Sequence, residues 1–318
     1  MTDVSIIVVS YNTRDILRRC LQAVAAHCSD LRCETIVIDN ASHDGSAAMV
    51  ASEFPAVRLI ANTDNRMFAA ASNQGMAVAS GRCQLLLNSD AFVGAGTVQQ
   101  LLGFLDQHPR AAAVGPTVLN TDGSLQSKGF TAPRIGLGLV RISGLNKCLP
   151  ERLKRRWFAG YFWDGRQAVM PDVLSGCCLM LRTRAVREIG ALCEDFYHGG
   201  EDGEWCFRAR HAGWQVWFCP AAIVVHMGGA SQARIDDTIT LRDTVRAWET
   251  SFGLGYGIVA ETLTCIYLAQ RWAAAGLTGK GGAVRAPIAR ELRLGGRKIA
   301  ALARRWRGSR SARAPSSR

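Results

Sequence analysis

With 318 residues, 48% hydrophobic and 20% charged side chains and a mean hydropathy of +0.04, the chain has the composition of a globular protein long enough to bury a sizeable core, which excludes a disordered chain and a polytopic membrane protein. The net charge of +12 is local: from Arg271 onward there are 13 Lys and Arg against the single acid Glu291, and the remainder carries 25 basic and 25 acidic residues. A basic footprint for nucleic acid has to lie on the folded body, so no nucleic-acid partner is expected.

The N-terminal "MTDVSIIVVSYNT" has no basic n-region before its apolar run, so no signal peptide is expected. Eleven cysteines are scattered, odd in number and free of any C-x-x-C pair, which argues against zinc and redox motifs and for reduced thiols in a cytoplasmic protein. In chain order, "VSIIVVS", "ETIVIDN", "VRLIAN" and "CQLLLNSD" alternate with helix-length stretches such as "TRDILRRCLQAVAAH" and "FAAASNQGMAVAS". Strands this apolar imply a parallel sheet covered on both faces, a doubly wound α/β domain. Ligands of such sheets gather at the carboxyl ends of the strands.

Those ends are polar: Ser10-Tyr11-Asn12, Asp39-Asn40, Asn62 and Asn88-Ser89-Asp90. Thr13 or Asp15 and Ser42 or Asp44 also suit helix caps, so each end alone reads equally as a turn; four ends on one edge favour a pocket. Neither G-x-G-x-x-G nor G-x-x-x-x-G-K-[ST] occurs, so a nucleotide held here needs side chains and a metal for its phosphates. In "LLLNSD" the alternate residues Asn88 and Asp90 share a side of the strand, and a carboxylate there suits a hard divalent cation, although a strand-ending Asn-x-Asp by itself is more often a turn.

Past Val114 the pattern loosens. "AVGPTVLNTDGSLQ" predicts a strand and hairpin, and an insert from Lys147 to Trp163 mixes basic and aromatic residues. "DVLSGCCLMLRTRAVREIG" predicts a buried strand entering a helix, and "EDGEWCFRARHAG" predicts a helix closed by Gly213. Glu201 and Asp202 open that helix, where the dipole favours carboxylates and where a general base is also held rigidly; the residues alone leave cap and catalyst open. His226 ends the strand "AAIVVH". From about Asp236 a helical extension is expected; "FGLGYGIVAETLTCIYLAQRW" is apolar, but Glu261, Gln270 and Arg271 argue against a membrane span.

Taken together, "VSIIVVSYN", "IVIDNASHDGS", "NRMFAAASNQG", "LLLNSD", "LSGCCLMLR" and "EDGEWCFRARHAGW" followed by "HMGGAS" resemble, in order and spacing, the family 2 glycosyltransferases of GT-A fold, from about Val4 to Ser231. Within that family the chain looks most like the rhamnosyltransferase-like branch of bacterial surface polysaccharide synthesis. The resemblance implies a Rossmann-like, mostly parallel sheet flanked by helices over 1–235; the residues beyond it suggest a helical extension over 236–280 and a basic, partly amphipathic or disordered tail over 281–318. It further implies an inverting, metal-dependent transfer of a sugar, rhamnose being one option, from a dTDP- or UDP-sugar to a hydroxyl of a saccharide or polyprenyl-linked acceptor, with Mg²⁺ or Mn²⁺ as cofactor.

By matching position, Tyr11, Asn12 and Asp39 would line the base pocket, with Asn65, Arg66 and Asn73 near the donor sugar and phosphates and Asn88 beside them. Asp90 would hold the metal as the surviving carboxylate of the family's D-x-D element, with His226 as a further ligand; Asp202 would be the base and Glu201 its neighbour. Met67 stands where the family has Gly, and Glu204 where it commonly has Asp. The cationic segment "RELRLGGRKIAALARRWRG", with Leu292, Ile299, Leu302 and Trp306 among arginines, suits an anionic membrane surface, placing the protein at the inner face of the plasma membrane. Nucleotidyl transfer would want a Gly-rich phosphate loop that "SYNTRDILRR" lacks; a catalytically degenerate scaffold of the same fold is the other reading.

Overall fold

The protein is described by a computed structural model covering residues 2–127, 129, 135–145, 148–150, 152–153, 166–197, 199–228, 237–277 and 281–311. Most of the basic-aromatic insert, Lys147 and residues 154–163, lies outside them. The chain divides into two compact units, Met1–Thr131 with Ala159–Arg234, and Ala132–Phe158 with Ile235–Arg318.

The first unit opens with β1 (Val4–Ser10), α1 (Arg14–His27), β2 (Cys33–Asp39), α2 (Ser46–Glu53), β3 (Arg58–Ala61), α3 (Met67–Val78) and β4 (Cys83–Asn88). β1 pairs in parallel with β2 and β4, and β2 with β3. Strict alternation of apolar side chains has its physical reason here: Ile6, Val8 and Leu85 join one core under α1, with Leu17 and Leu21, while Ile7, Ile38 and Leu86 join a second core under α3. Both faces of β1 and β4 are therefore dry, whereas the edge strand β3 is exposed or half-buried.

The second half of the sheet mixes directions. β5 (Ala91–Val93), α4 (Thr97–Gln107), β6 (Ala111–Leu119), β7 (Leu125–Ser127), β8 (Cys178–Arg182), α6 (Thr183–Ile189), α7 (Glu201–His211) and β9 (Gln215–His226) complete the unit, after α5 (Ile135–Ser143) of the other. The order is β3-β2-β1-β4-β8-β6-β9-β5, with β7 hairpinned onto β6. β8 runs antiparallel between β4 and β6, and the short β5 lies antiparallel on the end of β9. Its register sets Ala91 opposite His226, so the residue before β5, Asp90, falls beside that histidine.

The second unit is helical: α5, α8 (Asp237–Ser251), α9 (Leu254–Leu277) and α10 (Gly281–Ser311). Among the described residues no helix is long and apolar enough to cross a membrane. The basic segment is helical from Gly281 to Ser311, and its apolar stripe is partly spent inside the unit: Leu302 is fully buried against Trp248, Leu254 and Ala260. Leu292 and Ile299 are half-buried, whereas Trp306 and Arg290, Arg293, Arg297, Arg304 and Arg307 are exposed.

Candidate active site

The carboxyl ends of β1, β2 and β4 are tied together before any ligand is considered. Thr13 Oγ1 lies 2.9 Å from Ser10 Oγ and donates to Ser89 Oγ at 3.1 Å, a buried hydroxyl chain joining the ends of β1 and β4. Asp44 accepts the Arg14 amide through Oδ2 (2.7 Å) and the Ser46 amide through Oδ1 (3.0 Å), so one carboxylate caps both α1 and α2. Thr13 occupies the cap position of α1 but makes no side-chain cap bond. Asn12, at φ 53°, donates its amide to Ser42 Oγ and accepts the His43 amide on Oδ1.

Above these ends lies a cleft of about 320 Å³, contained within the first unit. Tyr11, Asn65, Asn88, Asp90, Glu201, Asp202 and His226 line it, so seven of the eleven residues that the resemblance singles out converge. Asn12, Asp39, Arg66 and Asn73 are not on its wall. Asp39 is buried behind it; Oδ2 accepts the Ser42 amide at 3.0 Å and the buried Oδ1 has no hydrogen-bond partner. Arg66 contributes its amide to Asn40 Oδ1 (3.0 Å), and its guanidinium lies 3.8 Å from Asp64. Asn73 differs most from the expectation: its side chain accepts the Leu192 amide and donates to the Leu192 carbonyl and to Glu194, so it secures the 190–194 loop and has no donor left for a ligand.

On one wall the first turn of α7 carries the acids. Gly200, at φ 115°, turns the chain into the helix; a β-carbon there would stand 2.8 Å from the Phe196 ring. Trp205 is fully buried and donates its indole N–H to the Gly190 carbonyl at 2.8 Å, anchoring α7; replacing it with Ala should cost about 3–5 kcal/mol. Asp202 accepts the Gly176 amide on Oδ2 (2.8 Å) and the Gly203 amide on Oδ1 (2.7 Å). Burial nevertheless outweighs these bonds and raises its pKa above the ordinary aspartate value. Gly176 approaches so closely that an added β-carbon would sit 3.3 Å from Asp202 Oδ2. Glu204 turns away to Arg208 (2.7 Å), which itself binds the Ile189 and Ala191 carbonyls; a glutamate reaches that partner one helical turn on.

On the other wall His226 Nε2 lies 3.1 Å from Asp90 Oδ1 and 3.4 Å from Asn88 Nδ2. A carboxylate and an imidazole at that separation suit a divalent cation, because neighbouring ligands of an octahedral ion with bonds of about 2.1 Å stand about 3 Å apart. Among the described residues no group of three His, Cys, Asp or Glu could enclose a metal. Between the two walls Cys177 lies near both Asp90 and Asp202, and burial lifts its thiol to about 11.

Sequence reasoning passed over several wall residues. Ser175, Gly176 and Cys177 sit in "LSGCCLMLR", where the signal was a glycine just ahead of a buried strand. Asn40 binds Asn65 Oδ1 (2.7 Å) and the Met67 carbonyl (3.3 Å), while Asn65 Oδ1 also accepts the Met67 amide (3.0 Å). That lattice holds Met67 at φ 62°, so the left-handed backbone persists where the family has Gly, and the Met side chain becomes part of the wall.

Residues 5–190 match the model of the glycosyl transferase family 2, more than half of the chain. The chain belongs to glycosyl transferase family 2. A family 2 relative in Mycobacterium tuberculosis, N-acetylglucosaminyl-diphospho-decaprenol L-rhamnosyltransferase, is 27% identical over 249 residues, covering 74% of this chain and 79% of that one. The low-salt glycan biosynthesis hexosyltransferase Agl10 of Haloferax volcanii is 21% identical over 75% of this chain and 71% of its own. Among solved structures, a mannosyltransferase from Pyrobaculum calidifontis in complex with GDP-Man and Mn²⁺ aligns with a TM-score of 0.57 and 19% identity over 95% of this chain and 88% of that one. GalNAc-T7 with UDP, GalNAc and Mn²⁺ gives 0.59 and 15% over 82% and 51%. The fold is thus that of GT-A glycosyltransferases, and this family 2 protein is a glycosyltransferase.

Proposed function

We propose that the cleft transfers a sugar, with inversion, from a nucleoside diphosphate donor to a hydroxyl of a lipid-linked saccharide in cell-surface polysaccharide synthesis, a deoxyhexose such as rhamnose being the first donor to test. The observation that carries this reading is that one cleft is lined both by the Asp202 carboxylate and by a carboxylate–imidazole pair, Asp90 and His226. The tuberculosis relative's name supports both the sugar and the lipid-linked acceptor.

Asp202 takes the proton of the acceptor hydroxyl as that oxygen attacks the anomeric carbon from the face opposite the leaving diphosphate; the glycosidic bond forms as the bond to diphosphate breaks. Two amides hold its oxygens in place, so little reorganisation is needed when the proton arrives. Glu201, buried beside it, shapes the acceptor side. Asp39 reads the base, its unpartnered Oδ1 being an acceptor in want of a donor, with Tyr11 at the cleft wall. Asp90 and His226 would hold Mg²⁺ or Mn²⁺. When bound, such an ion offsets charge growing on the diphosphate.

The acceptor gives the second unit its role. The exposed arginines of α10, with Trp306 and Trp272, suit the anionic headgroups of the inner face of the plasma membrane. Calorimetric binding of UDP and dTDP, each with and without Mn²⁺ or Mg²⁺, to the wild-type chain and to Asp90→Ala tests the site. Cation-dependent binding lost in Asp90→Ala is expected; cation-independent binding of equal strength in both would defeat the assignment.

A further inference from the structure

The ring of His226 is held at both nitrogens, and the outer contact is the less obvious one. Nδ1 lies 2.7 Å from Gln126 Oε1, on the three-residue strand β7. Which end of the Gln126 amide faces the ring is settled by its other bonds: Nε2 donates to Asn120 Oδ1 at 2.8 Å and to the His226 carbonyl at 3.2 Å. Both partners are acceptors, so the NH₂ must face them and the carbonyl oxygen must face the imidazole. Asn120 is oriented in turn, donating to Ser124 Oγ at 2.8 Å, while Ser124 binds Asp122 through both its amide and its hydroxyl. The tip of the β6–β7 hairpin thus runs as a chain of fixed donors and acceptors from Asp122 to the edge of the cleft.

An acceptor on Nδ1 requires a hydrogen there. A neutral imidazole then presents a lone pair on Nε2, and that atom faces Asp90 Oδ1 at 3.1 Å and the Asn88 amide nitrogen at 3.4 Å. A lone pair opposite a carboxylate oxygen at that distance is a repulsive pair unless a cation or a proton joins them. Resting on the reading of Asp90 and His226 as cation ligands, we propose that Gln126 is a positioning residue that fixes His226 as its Nδ1–H tautomer and so reserves Nε2 for the divalent ion. No role was assigned to Gln126 from the sequence, because its signal is a contact across 100 residues.

The test reads the ring directly. In the full chain with ¹⁵N-labelled histidine, at a pH about two units above the ordinary imidazole pKa, the His226 resonances are assigned by their loss in His226→Asn. Wild type is expected to carry hydrogen on Nδ1, and Gln126→Leu to shift the hydrogen to Nε2, where Asp90 can accept it. Gln126→Glu keeps an acceptor for Nδ1 but loses the two bonds that Gln126 Nε2 donates to Asn120 and the His226 carbonyl, and is expected to restore the Nδ1–H signal without those bonds. With excess UDP present, Mn²⁺ affinity is expected to fall about 10–100-fold in Gln126→Leu, the usual effect of losing such an outer partner. A bare Nδ1 in wild type, or an unchanged ring and unchanged Mn²⁺ affinity in Gln126→Leu, overturns the proposal. The two readings fail separately: a wild-type chain that binds no Mn²⁺ defeats the cation site, while the ring signals still decide what Gln126 does. Gln126 is exposed on an edge strand, and equal melting temperatures will establish that the variants fold.

Discussion

The two units of this glycosyltransferase divide chemistry from charge. Every residue lining the cleft belongs to the sheet-built unit, while the surplus of positive charge lies from Arg271 onward in the helical unit. In the first, carboxylates are oriented by backbone amides; in the second, arginines stand exposed along a helix whose apolar side is partly occupied. A buried carboxylate is tuned by a few fixed contacts and is sensitive to one substitution, whereas a charged surface sums many small terms.

Substitutions can break that division or sharpen it, and Asp202→Asn should do most. It is expected to lower kcat by about 10³–10⁴ while UDP binding stays near wild type, measured by transfer assay and calorimetry; wild-type turnover would remove Asp202 from the reaction. Asp202 also links stability to pH. Folding raises this group's pKa, so the folded protein holds the proton more tightly than the unfolded one, and the associated stability is lost as pH climbs from the ordinary aspartate value through the raised one. For the same reason the acidic limb of the pH–kcat/KM profile of wild type should fall at a pH above the ordinary aspartate pKa of 3.8.

In the second unit, serine at Arg293, Arg297, Arg304 and Arg307 together should weaken binding to phosphatidylglycerol vesicles by up to about 10³-fold, at about 1 kcal/mol per charge, and leave transfer to a soluble acceptor unchanged. Loss of soluble-acceptor transfer would end the division of labour. Gly176→Ala should lower kcat about tenfold with little change in KM for the donor, since the atoms nearest the new methyl are those of Asp202; a pure KM effect would place Gly176 in donor binding. Met67→Gly is the mildest: relief of a left-handed residue, about 1–2 kcal/mol, is nearly cancelled by the entropy of the added glycine, so the melting temperature should barely move.

Much of the first unit was legible because parallel strands buried on both faces read as uninterrupted apolar runs. "VSIIVVS" and "CQLLLN" became β1 and β4 in the expected places. Direction was not legible: nothing in "CCLMLR" distinguishes β8 running antiparallel between β4 and β6 from another parallel strand, since a doubly covered strand looks the same either way. At the site, polar strand ends were legible as ligand candidates, and Asn88 and Asp90 do share the cleft. What sequence could not reveal was how each side chain is already spent. Asn73 looks like any other asparagine until its partners at Leu192 and Glu194 are known. Leu302, likewise, offers a lipid-facing residue by periodicity, and tertiary packing claims it first.

The shared cap at Asp44 has a bearing on how substrate meets this protein. With one oxygen on the Arg14 amide and the other on the Ser46 amide, the loops after β1 and β2 form a single stitched rim that cannot part on one side alone. That rim's disorder was surrendered during folding, so on the proposed reading of the neighbouring cleft the entropy of shaping this edge is not charged against donor affinity. Such a rim is also brittle, because a change at Asp44 would loosen two helix starts at once.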